Sequence, residues 1–252
     1  MATAIVSLVW GCKSPNQSSS DSRPIVAVTI APQKYFVQKI AGESVSVYTL
    51  VPQKASPETY DVSEANLKEL ARAAVWLQSG RLPFERKWND KIRMNNTSLF
   101  VFDTSVQAEW IGEQADSNPY IWMSPAEAKK IAVEVFRALA AIFPSERKKF
   151  IENLNVFMDE LIRLDAELRS TMAGTGTEKQ VVAAPSLAYF LRDCNPGVQP
   201  VLQTSDAQKS KHSVTVTNKT GSSTGRHEIA YNPFSEKWEE QLRTIAQKIA
   251  AH

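Results

Sequence analysis

The sequence has 252 residues, of which 43% are hydrophobic and 22% are charged. This balance is typical of a globular chain with a buried core, and it excludes an intrinsically disordered or membrane-embedded protein. Lys and Arg number 29 against 27 Asp and Glu, so the formal net charge is +2, and like charges are not gathered into long blocks. We therefore expect no binding to nucleic acid, because that function needs a concentrated basic surface.

Near the start of the chain, residues 2–11 are apolar or small and are followed by Cys12 and a polar tract at residues 13–22. This order is typical of a bacterial lipoprotein signal, in which the cysteine carries the lipid. The apolar segment is about half as long as the ~20 residues that a membrane-spanning helix needs. The sequence therefore predicts an extracytoplasmic protein anchored only through lipid on Cys12. The alternative is an ordinary cysteine behind a short strand, since residues 1–11 contain no Lys or Arg.

Between residues 24 and 103, apolar and β-branched segments alternate with helical ones. The predicted strands are residues 25–30, 45–51, 74–78 and 99–103, and the predicted helices are residues 32–41 and 66–72, the second capped by Ser63. This alternation favours an α/β fold with a parallel sheet. Ligands bind beyond the carboxyl ends of strands in such sheets, which singles out the loop at residues 52–61. Glu58 in that loop is either a ligand-facing carboxylate or a solvated acid, and its spacing alone favours the solvated acid.

A long helical region follows in the middle of the chain. Ser124, Pro125 and Glu127 occur in the order of an N-cap, a first-turn proline and a capping-box acid, which predicts the start of a helix. Ser145 is predicted to cap a second helix, whose apolar residues recur three and four positions apart: Phe150, Leu154, Phe157, Leu161, Leu164 and Leu168. From residue 145 to 172 this helix would be roughly 40 Å long, which is more than one compact lobe needs. We interpret it as a strut between two lobes.

The last part of the chain predicts a strand at residues 180–183, a helix at 186–193, a strand at 228–231 and a helix at 235–251. The final helix has an amphipathic pattern, with one apolar face made by Trp238, Leu242, Ile245 and Ile249. Residues 204–224 are rich in Ser, Thr and Lys and are predicted to form a surface segment rather than a packed element.

Five motifs follow one another along the chain, and they begin with Ile30-Ala31-Pro32, Leu50-Val51-Pro52, Asn118-Pro119-Tyr120, Pro185-Ser186-Leu187 and Asn232-Pro233-Phe234. In this order they resemble the solute-binding receptors of zinc and manganese ABC importers. The resemblance implies an α/β fold of two Rossmann-like lobes that are bridged by one long rigid helix and hold a metal between them. The implied division is a signal and tether at 1–23, an N-terminal lobe at 24–124, linking helices at 125–172 and a truncated C-terminal lobe at 173–252. The last lobe is expected to be shorter than the family pattern by about one βα unit.

At the ligand positions of this family the chain has Glu58, Tyr120, Ala184 and Asn232, where relatives usually have up to three histidines and an acid. The resemblance implies a metal site made of Glu58, Tyr120 and Asn232, because Ala184 has no donor atom. A carboxylate, a phenol with an ordinary pKa near ~10 and an amide are poor ligands for zinc, and as hard oxygen donors they favour manganese or calcium. We expect one divalent metal ion of the zinc or manganese class, bound weakly or not at all.

The resemblance implies an extracytoplasmic metal-ion-binding component of an ABC transporter, monomeric and working with a cognate permease. The sequence contains no glycine-rich phosphate loop, serine elbow or paired-cysteine motif, so we expect no enzymatic activity. The alternative is a non-transporting surface interaction or adhesion protein, or a decayed receptor that no longer binds metal. The missing histidines and the short second lobe favour the alternative, whereas the retained motifs around the cleft favour the receptor.

Overall fold

The computed structural model describes residues 21–113, 117–173, 180–195, 201–202, 213–217 and 228–251. The first half of the chain forms a parallel sheet with the strand order β2-β1-β3-β4, which we call the first sheet. Its elements are β1 (Ile25–Val28), α1 (Ala31–Ala41), β2 (Ser46–Thr49), α2 (Glu64–Arg72), β3 (Ala73–Gln78), α3 (Pro83–Asn95) and β4 (Phe100–Asp103). The predicted strands and the Ser63 cap of α2 are confirmed.

Helix α3 is the element in the first half of the chain that the sequence did not predict. Its 13 residues are mostly polar, and only Phe84, Glu85 and Ile92 are buried. Three buried positions in thirteen give too weak a periodicity to stand out from the surrounding charges. The helix begins with Pro83, whose fixed φ suits the first turn.

The second sheet repeats the arrangement of the first. It contains β5 (Gln180–Ala183), β6 (Val201–Leu202), β7 (Ser213–Thr217) and β8 (Glu228–Ala230), which are parallel and lie in the order β6-β5-β7-β8. The interpretation of residues 204–224 as a surface segment was wrong for residues 213–217, which form β7 and pair with both β5 and β8. The rest of that run lies outside the described residues. The alternating sequence Ser-Val-Thr-Val-Thr suits a strand through its β-branched residues, although it is not strongly apolar.

The second sheet has as many strands as the first, so its shortening lies in the connections between them. Only residues 203–212 join β6 to β7, and only residues 218–227 join β7 to β8, and both segments lie outside the described residues. The corresponding connections in the first sheet are longer and contain α2 and α3.

Two long helices, α4 (Pro125–Ile142) and α5 (Arg147–Ala173), join the two sheets. Helix α5 has 27 residues, which corresponds to roughly 40 Å, and every apolar residue predicted for its inner face is buried. It packs against α1 of the first half and against α6 (Ala188–Cys194) and α7 (Trp238–Ala251) of the second. The predicted strut between two α/β lobes is confirmed. Within the described residues, no helix is long and apolar enough to span a membrane.

Two buried tryptophans, Trp122 and Trp238, connect the two halves of the chain. Trp122 donates from Nε1 to the carbonyl of Pro233 at 2.7 Å, and Trp238 donates from Nε1 to the carbonyl of Trp122, also at 2.7 Å. Both side chains are buried. Because Trp122 precedes α4 while Pro233 and Trp238 follow the second sheet, these hydrogen bonds join the two halves of the chain.

The two predicted helix caps have different outcomes. The Ser124 hydroxyl accepts hydrogen bonds from the backbone N–H groups of Ala126 (3.0 Å) and Glu127 (3.1 Å), so this N-cap is confirmed. The Glu127 side chain does not complete a capping box, because it accepts from Arg192 instead, at 2.8 Å. Ser145 was wrongly predicted as an N-cap, since it lies inside a 3₁₀ turn, Pro144–Glu146, through which the chain enters α5.

Replacement of Ser124 by alanine is therefore expected to lower the free energy of unfolding by about 1 kcal/mol or somewhat more. The variant loses the acceptor for two backbone N–H groups, together with the hydrogen bond that the Ser124 hydroxyl donates to Asp193. Urea unfolding followed by circular dichroism measures the change. Ser145→Ala is the matched control and should leave the urea midpoint nearly unchanged. Equal losses in the two variants would contradict the assignment of the cap.

Candidate metal centre

The three predicted site residues, Glu58, Tyr120 and Asn232, line one pocket of about 180 Å³. They come from the loop after β2, the segment before α4 and the loop after β8, so both halves of the chain contribute. The remaining lining residues are Gln53, Lys54, Ala55, Ser56, Pro233 and Phe234. The structure therefore brings together residues that are as far as 174 positions apart in the sequence.

Glu58 lies in a tight loop and is exposed. The loop is closed by backbone hydrogen bonds from Ala55 to Pro52 (2.8 Å) and from Tyr60 to Ser56 (2.9 Å). The Oε1 atom of Glu58 accepts a hydrogen bond from the Tyr120 hydroxyl at 3.1 Å. The carboxylate therefore faces the pocket while remaining in contact with solvent.

Tyr120 forms the inner wall of the pocket and is only 8% exposed. Its ring packs against Trp122 and Phe234, with ring centroids 5.3 and 5.9 Å away. Burial raises the pKa of the Tyr120 phenol above its usual range, and the negative charge of Glu58 and the hydrogen bond to it raise the pKa further. The phenol is consequently protonated near neutral pH and acts as a hydrogen-bond donor.

Asn232 uses its side-chain oxygen within its own loop. Oδ1 accepts from the backbone N–H of Phe234 at 2.9 Å, and Gln241 bonds to both backbone groups of Asn232. These bonds shape the turn after β8. A cation would have to share the amide oxygen with the N–H group of Phe234.

Ala184, at the fourth family position, ends in a buried methyl group and supplies no donor. Beside it lies a polar pair that the sequence analysis missed: the hydroxyls of Ser186 and Tyr231 form a short hydrogen bond. Burial raises the pKa of the Tyr231 phenol above its usual range, so this side chain also remains neutral. The place of Ser186 in the fourth motif was the available signal.

The pocket is a poor fit for zinc. Its lining supplies one carboxylate, one protonated phenol and amide or hydroxyl oxygens, but no imidazole or thiolate. In the part of the chain that the structure describes, no three His, Cys, Asp or Glu side chains are grouped so that they could hold a metal ion. Lys54 also lines the pocket, and its positive charge opposes a bound dication. The oxygen donors suit a hard cation held through few protein ligands.

Residues 26–250 match the protein family described as "ZnuA: Zinc-uptake complex component A periplasmic". The crystal structure of ZnuA has a TM-score of 0.78 and 28% sequence identity to this chain, and the match covers 91% of this chain and 99% of that one.

Two curated relatives are similar over part of their length. A putative metal-binding protein of Chlamydia muridarum is 25% identical over 67% of this chain and 61% of its own length. The zinc-binding protein TroA of Treponema pallidum is 24% identical over 69% of this chain and 58% of its own length. The chain thus spans about three fifths of the length of these relatives.

Proposed function

This chain belongs to the family of periplasmic zinc-uptake components, and we propose that it is the extracytoplasmic metal-ion-binding component of a zinc/manganese-type ABC transporter. The observation that carries the proposal is the convergence of Glu58, Tyr120 and Asn232, from three separate segments, on one pocket. The family is one of solute-binding proteins rather than enzymes. We also propose the division into residues 1–23, 24–124, 125–172 and 173–252, action as a monomer and delivery of the ion to a cognate permease.

The ion is bound weakly in this proposal, through oxygen atoms. Glu58 supplies the negative charge, and the Tyr120 hydroxyl and the Asn232 amide oxygen supply neutral donors. The Tyr120 hydroxyl donates to Oε1 of Glu58, so a cation that binds this oxygen competes with that hydrogen bond. A hard ion such as manganese or calcium suits this donor set better than zinc.

Two measurements test the proposal. The first is calorimetric titration of the full chain with zinc and with manganese, and the second is elemental analysis after purification without added metal or chelator. We expect one weak site, with a dissociation constant above about 1 µM. Glu58→Gln should abolish the binding, whereas the matched change at an exposed helical acid outside the pocket, Glu64→Gln, should not. A submicromolar zinc site that survives removal of His212, His227 and His252 would place the ligands elsewhere.

The alternative function is a surface interaction or adhesion protein, or a decayed receptor, which has kept the fold without binding metal. The presence of Lys54 in the pocket and the absence of a donor at Ala184 favour it. Under this alternative, the purified chain contains no bound metal and Glu58→Gln leaves its titration curves unchanged. The same calorimetric series therefore separates the two functions.

Attachment to the membrane through lipid on Cys12 is part of the proposal, and Cys12 lies outside the described residues. Cys12→Ser should move the protein from the membrane fraction to the soluble extracytoplasmic fraction, because the acceptor for the lipid is lost. Cys194→Ala is the control, since Cys194 is buried in α6 and should not affect fractionation. Fractionation followed by immunoblotting measures both. A Cys12→Ser protein that stays with the membrane would contradict this mode of attachment.

A further inference from the structure

Asn118 lies two residues before Tyr120 and uses all four of its polar groups in hydrogen bonds. Its side-chain oxygen accepts from the backbone N–H of Tyr120 at 3.0 Å, and its side-chain nitrogen donates to the carbonyl of Pro185 at 2.5 Å. Its backbone N–H donates to the carbonyl of Ile111 at 2.8 Å, and its carbonyl accepts from the Tyr189 hydroxyl at 2.8 Å.

These partners belong to both halves of the chain. Tyr120 is the wall of the candidate site and precedes the linking helices. Pro185 directly follows Ala184 at the carboxyl end of β5 in the second sheet. The Asn118 side chain therefore connects the positions of two family ligands, residues 120 and 184, through one short amide group.

The segment that carries Asn118 is held on both sides. Arg192 of α6 donates from Nη1 to the carbonyl of Glu109 at 3.0 Å, and Tyr189 accepts from the backbone N–H of Ile111 at 2.9 Å. From the first half of the chain, the Arg81 guanidinium lies 4.1 Å from the ring centroid of Trp110 and donates to the Ser117 hydroxyl at 2.5 Å.

With its backbone fixed in this way, Asn118 has little freedom to follow independent movements of its two side-chain partners. An amide group also has a fixed length, so its two bonds define a distance between the partners rather than only a contact.

We propose that Asn118 is a positioning residue that sets the separation between residue 120 and the turn at residues 184–185. This separation determines the width of the pocket and the size of the ion that the pocket admits. The statement about the ion rests on the proposed function. The statement about the separation does not, because it follows from the hydrogen bonds of Asn118 alone.

Pulsed electron paramagnetic resonance tests this separation by measuring the distance between two nitroxide labels. The labels are attached to cysteines introduced at Thr59 and Lys237. Both residues are exposed and lie in loops from opposite halves of the chain: Thr59 directly follows Glu58, and Lys237 lies three residues after Phe234. The parent is the full chain with Cys12→Ser. The thiol of Cys194 does not compete for the label, because it is buried and burial raises its pKa to about 12.

With Asn118 present we expect one narrow distance distribution, and with Asn118→Ala a broader or displaced one. Asn118→Asp keeps an acceptor for Tyr120 but places an oxygen against the carbonyl of Pro185, so it should behave like Asn118→Ala. The matched control is Asn153→Ala, which removes an amide-to-carbonyl hydrogen bond of 2.8 Å to Ile40, between α5 and α1. It should leave the distribution unchanged.

Zinc affinity in a chain that also carries Tyr120→His and Ala184→His gives a second readout. Loss of a group that orients metal ligands typically costs 10- to 100-fold in affinity, so we expect a loss of roughly that size for Asn118→Ala and none for Asn153→Ala. A narrow, unmoved distance distribution in both Asn118 variants overturns the proposal, whatever the metal does. If the Asn118 variants alter the distance distribution but the parent chain binds no metal, the positioning role is upheld and the proposed function fails.

Discussion

Replacing Tyr120 and Ala184 together with histidine is expected to raise the affinity of this chain for zinc by about 10⁴-fold. Structural zinc sites with four protein ligands contribute about 10–16 kcal/mol, which is roughly 3 kcal/mol, or about 100-fold, for each ligand. Ala184 offers no donor, and Tyr120 keeps its proton and donates it to Glu58. Each replacement therefore introduces an imidazole at a family ligand position, and the one at Tyr120 also removes the hydrogen bond to the carboxylate oxygen.

The two replacements should reinforce each other, because both histidines bind the same ion. We expect the double variant to gain more than either single variant, and about the product of their gains. Ala55→His is the matched control: Ala55 lines the pocket but does not occupy a family ligand position, so the gain there should be small. Competition titration against a chromophoric chelator measures the zinc affinity of the parent and of all four variants. Equal gains at Ala55 and Ala184 would mean that any imidazole near the pocket suffices, and would contradict the ligand assignment.

The pH dependence supplies a further check on the same variant. A histidine must be neutral to bind zinc, so the affinity should increase as the pH rises through about 6.5, the ordinary pKa of histidine. The parent chain has no histidine among the residues that line its pocket, and its weak binding should lack this step.

The parallel α/β fold could be predicted because β-branched segments and helix caps are local signals. Ser63 and Ser124 cap the helices that they were expected to cap. Strand β7 was missed because its valines alternate with hydroxyl residues in a strongly polar stretch, where pairing with β5 and β8 decides the structure. Tertiary pairing can thus override composition, and composition was the basis of the surface-segment prediction.

The candidate site was predictable only as a set of positions. The motifs indicated Glu58, Tyr120 and Asn232, and the structure places all three at one pocket. The hydrogen bond between Tyr120 and Glu58 joins residues 62 positions apart. The commitment of the Asn232 amide to the turn at Phe234 depends on the local backbone conformation. Neither can be read from sequence spacing, yet together they determine how little donor capacity remains for a cation.

Glu85 is a buried carboxylate that the sequence did not indicate. It is 2% exposed and lies in the first turn of α3. It accepts hydrogen bonds from the Thr29 hydroxyl (2.5 Å) and from the backbone N–H groups of Ser79 (2.6 Å) and Gly80 (2.8 Å). Trp76 in turn donates to Thr29 at 3.1 Å. Glu85 therefore ties the carboxyl ends of β1 and β3 to helix α3.

Glu85→Ala is expected to lower the free energy of unfolding by about 3–5 kcal/mol, because each buried donor left without an acceptor costs about 1–3 kcal/mol and the cavity adds to that cost. The variant leaves two backbone N–H groups without an acceptor in the interior and opens a cavity beneath α3. Urea unfolding measures the loss. Glu152→Ala, at an exposed position of α5, is the control and should change the free energy by no more than about 0.5 kcal/mol. A similar small change at Glu85 would mean that water replaces the carboxylate at no cost.

Glu85 also makes the stability of the fold depend on pH. Burial raises the pKa of its carboxyl from 4.5 to about 7, and the nearby charge of Asp103 acts in the same direction, against the hydrogen bonds that it accepts. The folded state therefore favours the neutral carboxyl, for which the Thr29 hydroxyl can turn and act as the acceptor. The neutral carboxyl therefore stabilises the folded state fully below pH 4.5, and this stabilisation is lost as the pH rises through about 7. The free energy involved is roughly 3 kcal/mol.

Glu85→Gln removes this titration while keeping the size of the side chain. Its amide NH₂ group replaces one carboxyl oxygen and cannot accept the backbone hydrogen bond, from Ser79 or from Gly80, that this oxygen received. The variant should therefore be less stable than the parent at pH 5. The difference should shrink as the pH approaches 8, because only the parent then carries a buried negative charge. Urea midpoints of both proteins at half-unit pH intervals measure the two slopes. If the slopes are the same, Glu85 is ionised across the whole range, and the hydrogen bonds from Thr29, Ser79 and Gly80 outweigh the cost of its burial.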